Sequence, residues 1–157
     1  APVFKTRLAD RDPFIRRAAA EGIGRLGDSA MAAPLEAALG SETSEMARAA
    51  IAFALQKLGR NYLPRLVESL RSDRLAAQVA GYLMELGPET ADALTPHLKN
   101  PDAAIRGNVA LILGALGTQA HVAALEPLTK DRDGDVGRAA ARAIERIKMR
   151  TGGSVGP

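Results

Sequence analysis

Asp131, Asp133 and Asp135 stand at alternate positions around Gly134, the spacing with which a calcium loop presents its first three side-chain ligands. Such a loop needs glycine at its sixth position and a bidentate carboxylate at its twelfth. Here those positions hold Val136 and Arg142, and a cation cannot stand where the metal needs two oxygens. The triplet therefore reads as the start of a helix, with an aspartate capping the first turn. The two histidines, His97 and His121, are not followed by Glu and have no second His three or four residues away. They read as surface imidazoles rather than metal ligands. With no cysteine in the chain, a nucleophile would have to be Ser or Thr beside a base. Ser29, Ser41, Thr43, Ser44, Ser69, Ser72, Thr90 and Thr118 all fall near predicted helix ends, where hydroxyls bond backbone N–H groups. Gly22-Ile23-Gly24 lies within a predicted helix and not after a strand, so it is no phosphate loop. No catalytic residue, metal ligand or cofactor is expected, and the chain is expected not to be an enzyme.

The arginines recur more regularly. Arg16, Arg48 and Arg106 occupy one register and Arg138 the neighbouring one. In stacked repeats equal registers make a ladder. Each rung could bond an Asp or a carbonyl of an adjoining turn, such as Asp12 or Asp102, or the ladder could bind anions; capping aspartates close in sequence favour the first.

These residues are positioned by a repeat. Leu-Gly recurs at Leu26-Gly27, Leu58-Gly59, Leu86-Gly87 and Leu116-Gly117, and Ile147-Lys148 takes the fifth place. The interval, roughly 30 residues, suits a helical hairpin. Counting back from each Leu or Ile, apolar residues stand at three (Ile23, Leu55, Leu83, Leu113, Ile144), seven (Ala19, Ile51, Val79, Val109, Ala140) and eleven (Ile15, Ala47, Leu75, Ile105, Val136). Those offsets mark one face of an α-helix. Six before, alanine occurs every time: Ala20, Ala52, Ala80, Ala110, Ala141. A neighbouring helix is expected to pass close to the backbone there. The glycine after each Leu is a helix stop that favours positive φ. A second helix, B, follows each helix A. Pro34 and Pro64 fall in its first turn, where a missing N–H is harmless, whereas Pro96 and Pro127 come later and predict a kink or a shortened helix.

The expected organisation is a repeat array over 1–148. A leading B helix covers 2–8, units start near 12, 44, 73, 102 and 133, and 149–157 form a flexible tail. The predicted fold is all-α, a right-handed α-α superhelix of about five stacked hairpins. The absence of an initiator Met and of a signal-like start reads as a boundary cut into a longer parent. Apolar faces at both ends would be covered by that parent or by a second copy.

The stretch DPFIRRAAAEGIGRLGD, from Asp12 to Asp28, resembles the short HEAT-like repeat first associated with phycobilisome lyases. NPDAAIRGNVALILGALG, from Asn100 to Gly117, matches nearly as well. The unit from Ser41 replaces Asp-Pro with SETSE, and the unit from Ser72 carries Ala76 where Arg is expected. The resemblance implies architecture more than function, because these repeats serve unrelated proteins. The iron hydroxylases built on it carry His-Glu pairs, which this chain lacks.

Composition narrows the function classes. Apolar residues make up 46% and aromatics only 3%, with no Trp, so the core must be aliphatic. A formal net charge of +3 is far from the clustered excess that phosphate neutralisation needs. Apolar runs are too short to span a bilayer. If Leu63, Leu66, Val67 and Leu70 are buried, the second B helix exposes Arg65, Glu68 and Arg71. Glu36, Asp92, Lys99, Glu126 and Lys130 correspond elsewhere, and Tyr62 is the aromatic placed to anchor a contact. Mixed signs suit a protein partner better than a nucleic-acid backbone. The expected function is a non-catalytic scaffold holding a protein partner on its concave B-helix face, in the cytoplasm. The alternatives are a bilin lyase-like chromophore handler, poorly served by so few aromatics, and a nucleic-acid-binding helical repeat.

Overall fold

Asp12 starts the first long helix as a cap should. Its backbone is extended and its Oδ1 accepts the Phe14 N–H at 2.8 Å, with Pro13 at the first helical position. The computed structural model describes residues 2–152, and every regular element among them is helical. Residues up to Ser69 form one compact unit and residues from Leu70 onward a second.

The first unit holds α1 (Pro2–Arg7), α2 (Pro13–Leu26), α3 (Ala32–Ser41), α4 (Glu45–Lys57) and α5 (Leu63–Ser69). Helices α2 and α4, both A helices, lie side by side. A Cβ on Gly24 would sit 2.8 Å from the Ala54 Cα, so the two backbones touch. Ile23, Ile51, Phe53, Leu55, Leu35 and Leu66 are fully buried in this unit. Val3 and Phe14 are 69% and 66% exposed.

The second unit holds α6 (Ala76–Leu86), α7 (Ala91–Leu94), α8 (Ala103–Leu116), α9 (Gln119–Leu125) and α10 (Gly134–Gly152). The same packing recurs between α8 and α10, where a Cβ on Gly114 would lie 2.9 Å from the Ala143 Cα. Asp102 caps α8 through the Ile105 N–H at 3.1 Å. Asp133 caps α10 by accepting from Asp135 and Val136. Helix α6 begins without a side-chain cap, later than the repeat start near 73. Helices α7 and α9 stop after Leu94 and Leu125, and the chain tightens into 3₁₀ turns over Thr95–Lys99 and Glu126–Lys130. Pro96 and Pro127 cause this, since neither can donate to the carbonyl four residues back.

Several expectations are corrected. Close backbone approaches between A helices occur at Gly24 and Gly114, positions outside the alanine column. Ala20, Ala52 and Ala110 are buried, but Ala80 is half-buried and Ala141 exposed. The Leu of Leu-Gly is not a core position throughout: Leu26 is 59% exposed, while Ile147 is buried. Gly27, Gly59 and Gly87 take the left-handed region (φ 72, 85 and 94°), but Gly117 is extended, at φ −73°. A Cβ at Gly117 would strike the Leu113 carbonyl at 2.5 Å, so its glycine answers to space and not to φ. Helix α10 runs through 149–152, past the expected start of the tail; Arg150 holds it there by donating to the Gly114 carbonyl of α8 and to the carbonyl of Gly117 just past its end. The remainder of that segment, 153–157, lies outside the described residues.

Candidate protein-binding face

Of the four ladder arginines, Arg16 and Arg106 are placed by the second turn of α2 and α8, and both are occupied. Arg106 meets Asp131 bidentately, Nε to Oδ2 and Nη2 to Oδ1, both at 2.9 Å. Its Nη1 donates to the Asn100 and Pro101 carbonyls at 2.9 and 3.0 Å. Arg16 repeats the pattern: it meets Glu42 at 2.7 and 2.8 Å and the Asp10 and Arg11 carbonyls at 2.8 and 3.0 Å. Each guanidinium therefore ties its own interhelical turn to the turn that starts the next unit. The carboxylate it meets stands two residues before the next cap and also accepts that residue's N–H: Glu42 from Ser44, Asp131 from Asp133. Asp10 and Asn100 make the same short turn with Asp12 and Asp102. In this register Ala76 replaces the arginine and Asn100 the acid 24 residues on, so the missing cation is matched by a missing charge.

These contacts set the titration of the acids. The Arg16 guanidinium, followed by the Ser44 N–H, holds the Glu42 carboxyl below its ordinary value against the opposing effect of burial. Arg106 and then the Asp133 N–H do the same for Asp131. Both arginines are raised in turn by their acids. Arg48 donates to the Leu39 and Glu42 carbonyls at 3.2 and 2.8 Å, and Arg138 pairs with Asp135 on the surface. The three aspartates of the opening triplet thus serve separate partners. Among the described residues no group of three His, Cys, Asp or Glu side chains is placed to hold a metal ion.

His121 corrects the surface expectation. It is 8% exposed, at the third position of α9, where Nδ1 accepts the Thr118 N–H at 2.9 Å. That bond puts the ring proton on Nε2, which donates to Asp92 Oδ1 at 2.9 Å. Thr118 Oγ1 lies 3.3 Å from Nδ1, so Thr, His and Asp line up as in a hydrolase. The nitrogen facing the hydroxyl already holds a backbone proton, however, and cannot act as its base. The cluster is a capping box with a histidine in the glutamate's place. The Thr-x-x-His spacing was its visible signal.

The B helices present the remaining candidates. In the first unit Glu36 on α3 is exposed and pairs with Arg60 at 3.4 Å. Tyr62 is half-buried, its N–H bound to Gln56 Oε1 at 2.8 Å. The Arg65 guanidinium lies 5.9 Å from the Tyr62 ring centroid, so these two predicted residues are together, and Glu68 is exposed on the same helix. In the second unit Arg71, Lys99 and Glu126 are all exposed. Lys99 borders an open groove of about 610 Å³ between the B segments of consecutive hairpins, floored by Pro96, Pro127, Ala123, Ala124 and Leu128; Glu126 does not line it. From the sequence Pro96 and Pro127 were expected only to kink or shorten their helices, and none of these floor residues was expected to bind a partner, although the two prolines sit in equivalent registers and small residues precede Pro127.

Two comparisons bear on this arrangement. The family model described as HEAT repeats matches residues 1–56 and 63–145. No curated protein matches the chain.

Proposed function

Because the chain belongs to the HEAT-repeat family, we propose that it is a non-catalytic scaffold which holds a protein partner on its B-helix faces. HEAT repeats commonly serve as protein-interaction scaffolds. Among the described residues no helix is long and apolar enough to cross a membrane.

One observation carries the proposal: the arginines that recur along the A helices bond within the fold, whereas the B segments set exposed charges of both signs beside an aromatic side chain and an apolar groove. On the A helices, Arg16 and Arg106 use Nε and both Nη groups inside the fold, and Arg48 bonds two carbonyls through Nη1. The B helices keep charges of both signs exposed, Arg65 and Glu68 in the first unit, Lys99 and Glu126 in the second. Mixed charge beside apolar surface is the composition with which one protein selects another, through steering and through the cost of misplacing like charges. The Arg65–Tyr62 pair supplies the aromatic and guanidinium types that dominate binding energy at such contacts.

The test compares affinity capture by the native chain, by Arg65→Glu/Lys99→Glu, and by Arg142→Glu, which reverses an exposed charge on an A helix. Quantitative mass spectrometry should find proteins retained by the native chain and by Arg142→Glu but lost from the B-face variant. Equal retention by all three would overturn the proposal.

A further inference from the structure

We propose that the groove between the B segments of the second unit takes an acidic peptide segment of a partner protein, with an apolar side chain in the groove and carboxylates beyond its end. This rests on the assignment of the B helices as the partner face. The lining is mostly apolar and holds no aromatic side chain: Pro96, Pro127, Ala123, Ala124 and Leu128 stand with Thr95. Leu98 and Lys99 also line a second, shallower cavity of about 340 Å³. The second cavity is lined by Lys99, Arg132, Arg106 and Asp131. The Arg106 and Asp131 charges are spent on each other, leaving Lys99 and Arg132, both exposed, as its net charge. Neither forms a salt bridge within the described residues. Lys130 repeats the Lys99 register one hairpin on and is also exposed. An apolar slot bordered by two exposed cations, Lys99 and Arg132, the second also acting on Asp131, is complementary to one ordered feature, an aliphatic side chain followed in sequence by carboxylates. Nucleic acid fits less well, since no aromatic is present on which a base could stack and two cations neutralise few phosphates.

The probe is a short fluorescein-labelled peptide with one leucine followed by glutamates, used with the full chain in polarisation and amide NMR titrations. Control peptides carry lysines for the glutamates or serine for the leucine. The acidic peptide should bind and shift the amides of Ala123, Ala124, Lys99 and Arg132. Lys99→Glu and Arg132→Glu should each weaken it about tenfold, as should Ala123→Phe, which fills the groove from an exposed position. Both control peptides should bind at least about tenfold more weakly than the acidic one. Equal binding of the lysine peptide, or binding unmoved by all three variants, would overturn the groove assignment. Shifts confined to Tyr62 and Arg65 would overturn it while leaving the B-face proposal standing. If no peptide moves any B-helix amide, the groove assignment falls, and the capture comparison alone decides the B-face proposal. Single-stranded RNA competing at the groove with the same variant dependence would replace the peptide by a nucleic acid and overturn the inference.

Discussion

Arg106→Ala removes four hydrogen bonds at once and leaves the carboxylate of Asp131, only 10% exposed, without its counter-ion. Breaking a buried pair from one side costs about 3–5 kcal/mol. Here water can enter once the arginine is truncated, and the Asp133 N–H still serves one oxygen, so about 3 kcal/mol is expected. Asp131→Asn keeps that N–H bond through its amide oxygen but denies the buried guanidinium a charge, at about 2 kcal/mol. The double variant recreates in this hairpin the combination the chain already carries at Ala76 and Asn100. It should therefore cost well under the sum, with a coupling of about 2 kcal/mol. Urea unfolding followed by circular dichroism measures each corner of the cycle. Hydrogen exchange in α8 and α10 locates the loss. A coupling under about 0.5 kcal/mol would mean that the pair is screened like a surface one, and would refute the account of these arginines.

Acid should expose the same contacts. Glu42 and Asp131 are both depressed in the folded state, so their stabilisation is complete above the unfolded carboxylate values, near pH 4–4.5. It is lost as pH falls through the lower folded values. The melting temperature should drop below pH 4, less steeply in Asp131→Asn; a parallel drop would count against the linkage. Gly114→Ala must push its Cβ against the α10 backbone and should destabilise by about 1 kcal/mol net of the gain in helix propensity. Gly81→Ala, in open space within α6, should stabilise by about 0.5–1 kcal/mol, and reversal of these signs in thermal melts would remove the close-packing assignment. Asp133→Ala should cost about 1 kcal/mol as a lost cap, and calcium should leave the native melting temperature unmoved; a calcium-dependent rise abolished by Asp133→Ala would restore the metal loop.

Local features were legible because their cause is local. Asp12, Asp102 and Asp133 cap helices whose first N–H groups lie two or three residues away, and Pro96 and Pro127 end α7 and α9 by lacking a donor. Ile23, Leu55, Leu83 and Leu113 became core, all at 0–1% exposure, whereas Ile144 of the same register is half-buried and Ile15 of the register eight residues earlier is exposed. Leu26 misled because a 3.6-residue period admits a fourth position at the rim of the stripe, and only the neighbouring helix decides whether a rim residue is covered.

The periodicity of small and branched side chains was enough to specify repeated helical hairpins, since amphipathic helices of this length gain stability only by packing on one another. Distances between hairpins lay beyond it. That Gly24 and Gly114 are points of close backbone approach, that Arg106 reaches Asp131 across 25 residues, that His121 is buried on Asp92, and that a groove remains between two proline-tightened B segments all depend on the lateral spacing of neighbouring units. Tertiary packing sets that spacing, because it is the summed result of every side chain in the interface and no single register encodes it.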